Sequence, residues 1–75
     1  MDKLVNFDEG ETVVIKKIDT TGASLKTLKN FGMNSGTSIK IVRKSVRKNP
    51  VVINCLETEV AISYGLALKI FAERI

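Results

Sequence analysis

Residues 24–37, with the sequence SLKTLKNFGMNSGT, predict one short helix and the turn that follows it. Ser24 is a suitable N-cap, because its hydroxyl can accept a hydrogen bond from a free backbone N–H of the first helical turn. Leu25, Leu28 and Phe31 follow at intervals of three residues, which places them along one apolar face. A helix of about two turns is not stable alone in water. We therefore expect this helix to pack on a core, with these three side chains directed inward.

The residues after Phe31 contain the signals of a helix end and a tight turn. Gly32 lies where helices commonly require a residue at positive φ, and Met33 supplies the apolar contact that often follows. The sequence Asn34-Ser35-Gly36-Thr37 is typical of a four-residue turn with glycine at the position of positive φ. The chain is therefore predicted to leave the helix abruptly and to enter a strand near residue 38.

Most of the remaining chain is predicted to form short strands. Residues 12–18 are rich in β-branched side chains, with Val13 and Ile15 on one face, and in residues 38–44 Ile39 and Ile41 alternate with Lys40. The predicted strands span residues 12–18, 38–44, 51–56, 60–62 and about 69–73, with a turn at 57–59 and one helical turn at 63–67. The sequence thus predicts a mainly β fold, a small barrel of about five strands with one short helix packed on it.

Length and composition limit the class of protein. The chain has 75 residues, 44% of them apolar, which predicts a single domain over residues 1–75 with an adequate core. Its first residues lack the pattern of a signal peptide, no apolar run is long enough to cross a membrane, and one cysteine suits a reducing compartment. We expect a cytoplasmic location, and the net charge of +4 is compatible with an acidic partner surface.

The residues needed for catalysis or metal binding are mostly missing from the sequence. There is no histidine, a single cysteine and no glycine-rich phosphate loop, so we expect no catalytic residue, no cofactor and no metal site. Asp8, Glu9 and Glu11 do not have the spacing of a calcium loop and are predicted to form a solvated turn. Cys55 is in phase with Ile53 and is predicted to be a buried apolar residue.

Positive charge is concentrated in one part of the chain. Five cations without an intervening acid lie within nine residues, namely Lys40, Arg43, Lys44, Arg47 and Lys48. Three interpretations remain open: a solvated hairpin, a protein contact, or a contact with nucleic acid phosphates. No aromatic residue is interleaved, which argues against a platform for stacking single-stranded nucleic acid. Lys26 and Lys29 lie on a different helix face from Leu25 and Leu28, and serve either solvation or docking.

The apolar and glycine positions occur in a recognisable order. The most specific part is Leu25-x-x-Leu28-x-x-Phe31-Gly32-Met33-x-x-Gly36-Thr37, followed later by Ala67-x-x-Ile70. This pattern, which covers nearly the whole chain, resembles the FeoA family of ferrous iron transport proteins. The resemblance implies an SH3-like barrel that serves as a cytosolic accessory to FeoB, the large GTP-binding membrane protein of ferrous iron uptake. Related domains also occur at the C-terminus of iron-dependent repressors.

The chain departs from the family pattern at three places. Glu57 stands in a turn where members often have glycine, and Ser35 stands where proline is common. Ser63-Tyr64 occupies the place of a basic residue before the last helical turn.

A non-catalytic binding module is the leading functional expectation. Such a module would dock on the cytosolic part of the transporter and would not insert in the membrane itself. The predicted contact residues are Lys26, Lys29, Met33, Asn34, Arg43, Lys44, Arg47 and Lys48. In this scheme exposed apolar atoms of Met33 supply contact area, while the cations steer association.

Two other functions are retained as alternatives: nucleic-acid binding through residues 43–48, and a free-standing regulatory domain related to the repressors. Ferrous iron is not expected to bind directly, because the carboxylates are scattered and the one thiol is predicted to be buried. A homodimer is compatible with exposed strand edges.

Overall fold

The structure, a computed structural model, describes residues 1–44 and 50–75 as six strands, two α-helices and one 3-10 turn. The strands are β1 (Asp2–Lys3), β2 (Thr12–Ile18), β3 (Ser38–Lys44), β4 (Val51–Cys55), β5 (Thr58–Ile62) and β6 (Ile70–Arg74). The helices are α1 (Gly22–Asn30) and α2 (Tyr64–Ala67), and the 3-10 turn is Leu4–Asn6. No helix in the described residues is both long and apolar enough to span a bilayer.

All six strands form one antiparallel sheet in the order β1-β6-β2-β3-β4-β5. The registers of β2 with β6 and of β3 with β4 each shift once, between Ile15 and Lys17 and between Ile41 and Arg43. Such bulges bend the strands and increase their twist, which helps a small sheet to wrap around its core. The predicted mainly β fold with one main helix is confirmed, and the sixth strand arises because Asp2–Lys3 pairs with β6.

The core follows the alternation of the strands. Val13 and Ile15 of β2 are buried, as are Ile39 and Ile41 of β3, while Lys40 between them is exposed. Cys55 is also fully buried, which confirms its predicted place in the core. Within the described residues no charged or polar residue is classed as buried. One continuous apolar cluster therefore lies between the sheet and the helices.

Helix α1 differs from its prediction in where it begins and in which side chains it buries. It begins at Gly22, with Thr21 as N-cap and no side-chain capping bond, so the predicted cap at Ser24 is wrong. Phe31, predicted to point inward, is 42% exposed, whereas Leu28 is buried and Leu25 is half-buried. Each step of three residues rotates the side chain about 60° around a helix of 3.6 residues per turn. Only the middle residue of the three therefore faces the core directly.

The end of α1 forms the predicted glycine cap. Gly32 has φ of 82°, its N–H donates to the Lys29 carbonyl at 2.9 Å, and the Met33 N–H donates to the Leu28 carbonyl at 3.0 Å. These two bonds define a Schellman motif, which satisfies carbonyls that the helix end would otherwise leave free. The motif turns the chain back toward the sheet and places Met33, with no exposed surface, in the core.

The connection between β4 and β5 is tighter than predicted. It is a two-residue turn of Leu56 and Glu57, with φ values of 52° and 67°, rather than a turn at residues 57–59. Two-residue hairpins favour turns with positive φ at both central positions, since these match the strand twist. Glycine or asparagine normally fills such positions, so two ordinary side chains are held here in an unfavourable backbone region.

Replacing Glu57 by glycine should stabilise the protein by about 1 kcal/mol, because glycine tolerates positive φ and removes the steric cost of a Cβ there. The free energy of unfolding can be measured by urea titration followed by circular dichroism. Glu59→Gly is the matched control: residue 59 lies inside β5, where glycine should be destabilising. Equal destabilisation by both substitutions would contradict the proposed strain at residue 57.

Candidate functional site

An open groove of about 380 Å³ lies beside α1. Its lining comes from three elements: the end of β2, one flank of α1 and the turn that leaves the helix. The lining residues are Ile18, Leu25, Lys29, Asn34 and Ser35. We call this feature the helix groove.

The turn that forms one wall of the helix groove is held by several hydrogen bonds. The Thr37 N–H donates to the Asn34 carbonyl at 3.0 Å, and Gly36 has φ of 91°, which confirms the predicted turn. The Ser35 hydroxyl donates to the Lys16 carbonyl at 2.9 Å, at the bulge of β2. Proline, which has no hydroxyl, could not make that bond. The Ser35 side chain therefore fixes this wall to the sheet.

The helix groove combines an apolar surface with one cation. Ile18 and Leu25 are half-buried, so part of each apolar side chain stays accessible. Lys29 follows Leu25 by four residues and projects from the same side of α1, so the prediction that Lys29 lies on a different face from Leu25 is wrong. In the described part of the chain, no carboxylate lies within ion-pair distance of Lys29. An apolar side chain accompanied by an acidic group is the ligand that fits this arrangement.

The structure gathers only part of the predicted contact set. Lys29 and Asn34 line the helix groove, whereas Lys26 and Arg43 are exposed but are not among its lining residues. Arg47 and Lys48 lie outside the described residues.

The predicted surface role of Met33 is wrong. Its side chain is fully buried, because the Schellman motif returns the chain to the core, and it has no exposed apolar atoms to offer a partner.

Lys44, also predicted to contact a partner, is engaged within the molecule. Its ammonium donates to the Phe7 carbonyl at 2.7 Å and to the Val5 carbonyl at 3.2 Å. Its backbone N–H donates to a carboxylate oxygen of Glu9 at 3.0 Å. Lys44 thus connects the end of β3 to the chain around the 3-10 turn. Its charge is committed to the fold, and we correct its assignment from a steering cation to a structural residue.

Sequence reasoning missed three lining residues. The sequence pattern predicts Ile18 as a strand residue, Leu25 as a core residue and Ser35 as a turn residue, and assigns none of them to a binding surface. The signal available was the pair Leu25 and Lys29, an apolar residue and a cation four positions apart, which share one side of a helix.

The acidic turn at residues 8–11 has a structural role. A carboxylate oxygen of Glu11 accepts a hydrogen bond from the Asp8 N–H at 2.6 Å, and the other accepts one from Arg74. The Arg74 hydrogen bond holds the pKa of the Glu11 carboxyl below its usual value. Arg74 also lies over the Phe7 ring, 5.1 Å from its centroid.

Among the described residues, no group of three histidine, cysteine, aspartate or glutamate side chains is placed to hold a metal ion. Burial raises the pKa of the Cys55 thiol, which opposes formation of a reactive thiolate. The helix groove, with accessible parts of Ile18 and Leu25 beside Lys29, is suited to binding a ligand.

Comparison with known proteins identifies relatives of this chain. The family model described as FeoA domain matches residues 3–74. A protein of Methanocaldococcus jannaschii named "Putative Fe(2+) transport protein A" is 38% identical over 65 residues, which cover 87% of this chain and 77% of that protein.

Solved structures share the fold at lower identity. The solution structure of iron(II) transport protein A from Clostridium thermocellum gives a TM-score of 0.91 at 23% identity, over 97% of this chain and 45% of that chain. The manganese-activated repressor ScaR in its apo form gives a TM-score of 0.87 at 16% identity, over 99% of this chain and 35% of that chain. The same SH3-like architecture therefore occurs within larger proteins.

Proposed function

The chain belongs to the FeoA family, and on that premise we propose that it is a non-catalytic accessory protein of ferrous iron uptake. Its partner is the cytosolic part of the GTP-binding membrane transporter of ferrous iron, and binding there alters the transporter's activity. In this proposal the protein acts in the cytoplasm and reaches the membrane only through its partner. Iron is the cargo of the transporter, not a ligand of this chain.

The observation that carries the proposal is the helix groove, in which Lys29 stands beside the accessible parts of Ile18 and Leu25 without a carboxylate partner among the described residues. Apolar contact supplies much of the affinity of small interfaces, whereas a charge pair supplies orientation and association rate. We propose that an apolar side chain of the transporter enters the helix groove and that a neighbouring carboxylate pairs with Lys29. Lys26, exposed one helical position beyond Leu25, and Arg43, exposed on β3, add long-range attraction.

Charge reversal tests this proposal. Lys29→Glu should weaken binding of the purified protein to the transporter's soluble cytosolic domain by about tenfold or more, because it places a carboxylate opposite a carboxylate. Lys26→Glu, on the outer side of the helix, should have a smaller effect. Isothermal titration calorimetry measures both. GTP hydrolysis by the domain, measured with and without each variant, reports whether binding alters activity.

The matched control is Lys40→Glu, which reverses an exposed charge on β3 away from the helix groove. It should bind nearly as well as the wild type. Equal affinities for Lys29→Glu and the wild type would exclude the helix groove as the contact. Absence of binding by the wild-type protein would reject the transporter as its partner.

A further inference from the structure

The two edges of the sheet are unequal. One edge is β1, with only two residues, and short edges offer little backbone for pairing with another chain. The other edge is β5, with five residues in continuous register with β4 from Thr58 to Ile62. The two bulges of the sheet lie elsewhere, in the pairing of β2 with β6 and of β3 with β4.

The free backbone groups of β5 can be assigned from its hairpin. A two-residue turn closes on a hydrogen-bonded pair, here Cys55 and Thr58, and hydrogen-bonded and non-hydrogen-bonded pairs then alternate along the ladder. The N–H and C=O groups of Glu59 and Ala61 therefore point away from β4. Both residues are exposed, and within the described residues neither backbone has a hydrogen-bond partner outside the sheet.

Most of the usual protections against edge pairing are missing from β5, whose one charged residue is Glu59. Its sequence, TEVAI, contains no lysine, proline or bulge, each of which commonly blocks association at a strand edge. Its inward-facing residues Val60 and Ile62 are anchored in the core, so the strand is held extended. The edge is thus a preformed template for one additional antiparallel strand.

We propose that this strand is β5 of a second copy, paired about a two-fold axis through Val60. In this register Glu59 of each copy lies opposite Ala61 of the other, and the two pairs exchange four backbone hydrogen bonds. No like charges stand directly opposite one another. The two Glu59 residues are diagonal neighbours with Cα atoms about 7–8 Å apart, and their carboxylates repel each other, so added salt should strengthen the association. This inference does not depend on the helix groove or on the transporter.

Self-association and amide exchange test the proposal together. Sedimentation equilibrium of the full chain, from about 10 µM to about 1 mM, should show a weak monomer–dimer equilibrium, since the contact is small. Over the same range, hydrogen exchange of the Glu59 and Ala61 amides should slow as concentration rises. The amides of Thr58, Val60 and Ile62, bonded to β4 in every copy, should not change.

Substitutions at Ala61 distinguish this register from other modes of association. Ala61→Pro removes one outward N–H from each copy without removing a bond to β4, and should weaken the dimer by about tenfold or more. Ala61→Lys, which places an ammonium opposite Glu59 of the second copy, should strengthen it by about fivefold. Ala61→Glu should weaken it by a similar factor. Circular dichroism verifies that each variant is folded.

Three outcomes would overturn the proposal. The first is a chain that remains monomeric at the highest concentration. The second is a dimer in which Ala61→Lys and Ala61→Glu shift the dissociation constant in the same direction. The third is slowing of the Glu59 and Ala61 amides only after the transporter domain is added, which would assign the edge to a segment of that partner.

Discussion

Met33→Ala is expected to lower the free energy of unfolding by about 2–5 kcal/mol, the range for truncating a long apolar side chain in a core. Met33 has no exposed surface, and its backbone N–H holds the Leu28 carbonyl in the helix cap. The truncation leaves a cavity beneath the point where the chain turns from α1 toward β3. Urea unfolding followed by far-UV circular dichroism measures the loss.

Met33→Leu serves as the control, because it nearly conserves volume and should cost less than about 1.5 kcal/mol. The comparison separates a core role from the surface role that the sequence suggested. A surface contact would leave stability unchanged in Met33→Ala and would lower only the affinity for a partner. That result would contradict the buried position of this side chain.

Lys44→Met should lower the free energy of unfolding by about 2 kcal/mol. Hydrogen bonds to a charged group commonly contribute about 1.5–3 kcal/mol each, and the Lys44 ammonium makes two, but their contribution is reduced because this group is partly solvated. The variant keeps the length of the side chain but leaves the Val5 and Phe7 carbonyls without their donor. Val5 lies in the 3-10 turn, which contacts β6, and Phe7 follows directly; both are buried, so the N-terminal segment should loosen first. Amide exchange at residues 2–7 would detect this loosening.

Lys40→Met is the control on the same strand, since Lys40 is exposed and lies outside this contact. It should change stability by less than about 0.5 kcal/mol. Equal effects of the two substitutions would show that the loss arises from general surface charge. An effect on transporter binding but not on stability would restore Lys44 to the docking surface.

Much of the fold could be predicted because its signals are local. Alternation of apolar side chains identified β2 and β3 to the residue, and the glycines at 32 and 36 marked two positions of positive φ. The predicted helical turn at 63–67 is present as α2, and Ser63 caps it by accepting a hydrogen bond from the Leu66 N–H at 3.3 Å. Each of these features depends on residues that are neighbours in the sequence.

The sequence-based predictions were wrong where contacts between distant parts of the chain determine the position of a residue. Whether Met33 faces solvent depends on how the helix cap meets the sheet, and the role of Lys44 depends on carbonyls 37 and 39 residues away. Thr58 and Glu59 belong to β5, because the two-residue turn at 56–57 lets pairing with β4 begin directly at Thr58. The helix groove likewise joins residues from β2, α1 and a turn, so no single segment of the sequence reveals it.

Mapping the contact by nuclear magnetic resonance tests most directly whether the helix groove binds the cytosolic domain of the transporter. The ¹⁵N-labelled protein is titrated with the unlabelled soluble cytosolic domain of the ferrous iron transporter. If the helix groove is the contact, the backbone signals of Leu25, Lys29, Asn34 and Ser35 shift or broaden together, and those of Lys40 and its neighbours on β3 do not. Changes confined to strands remote from the helix groove would show that the transporter domain binds elsewhere on the protein.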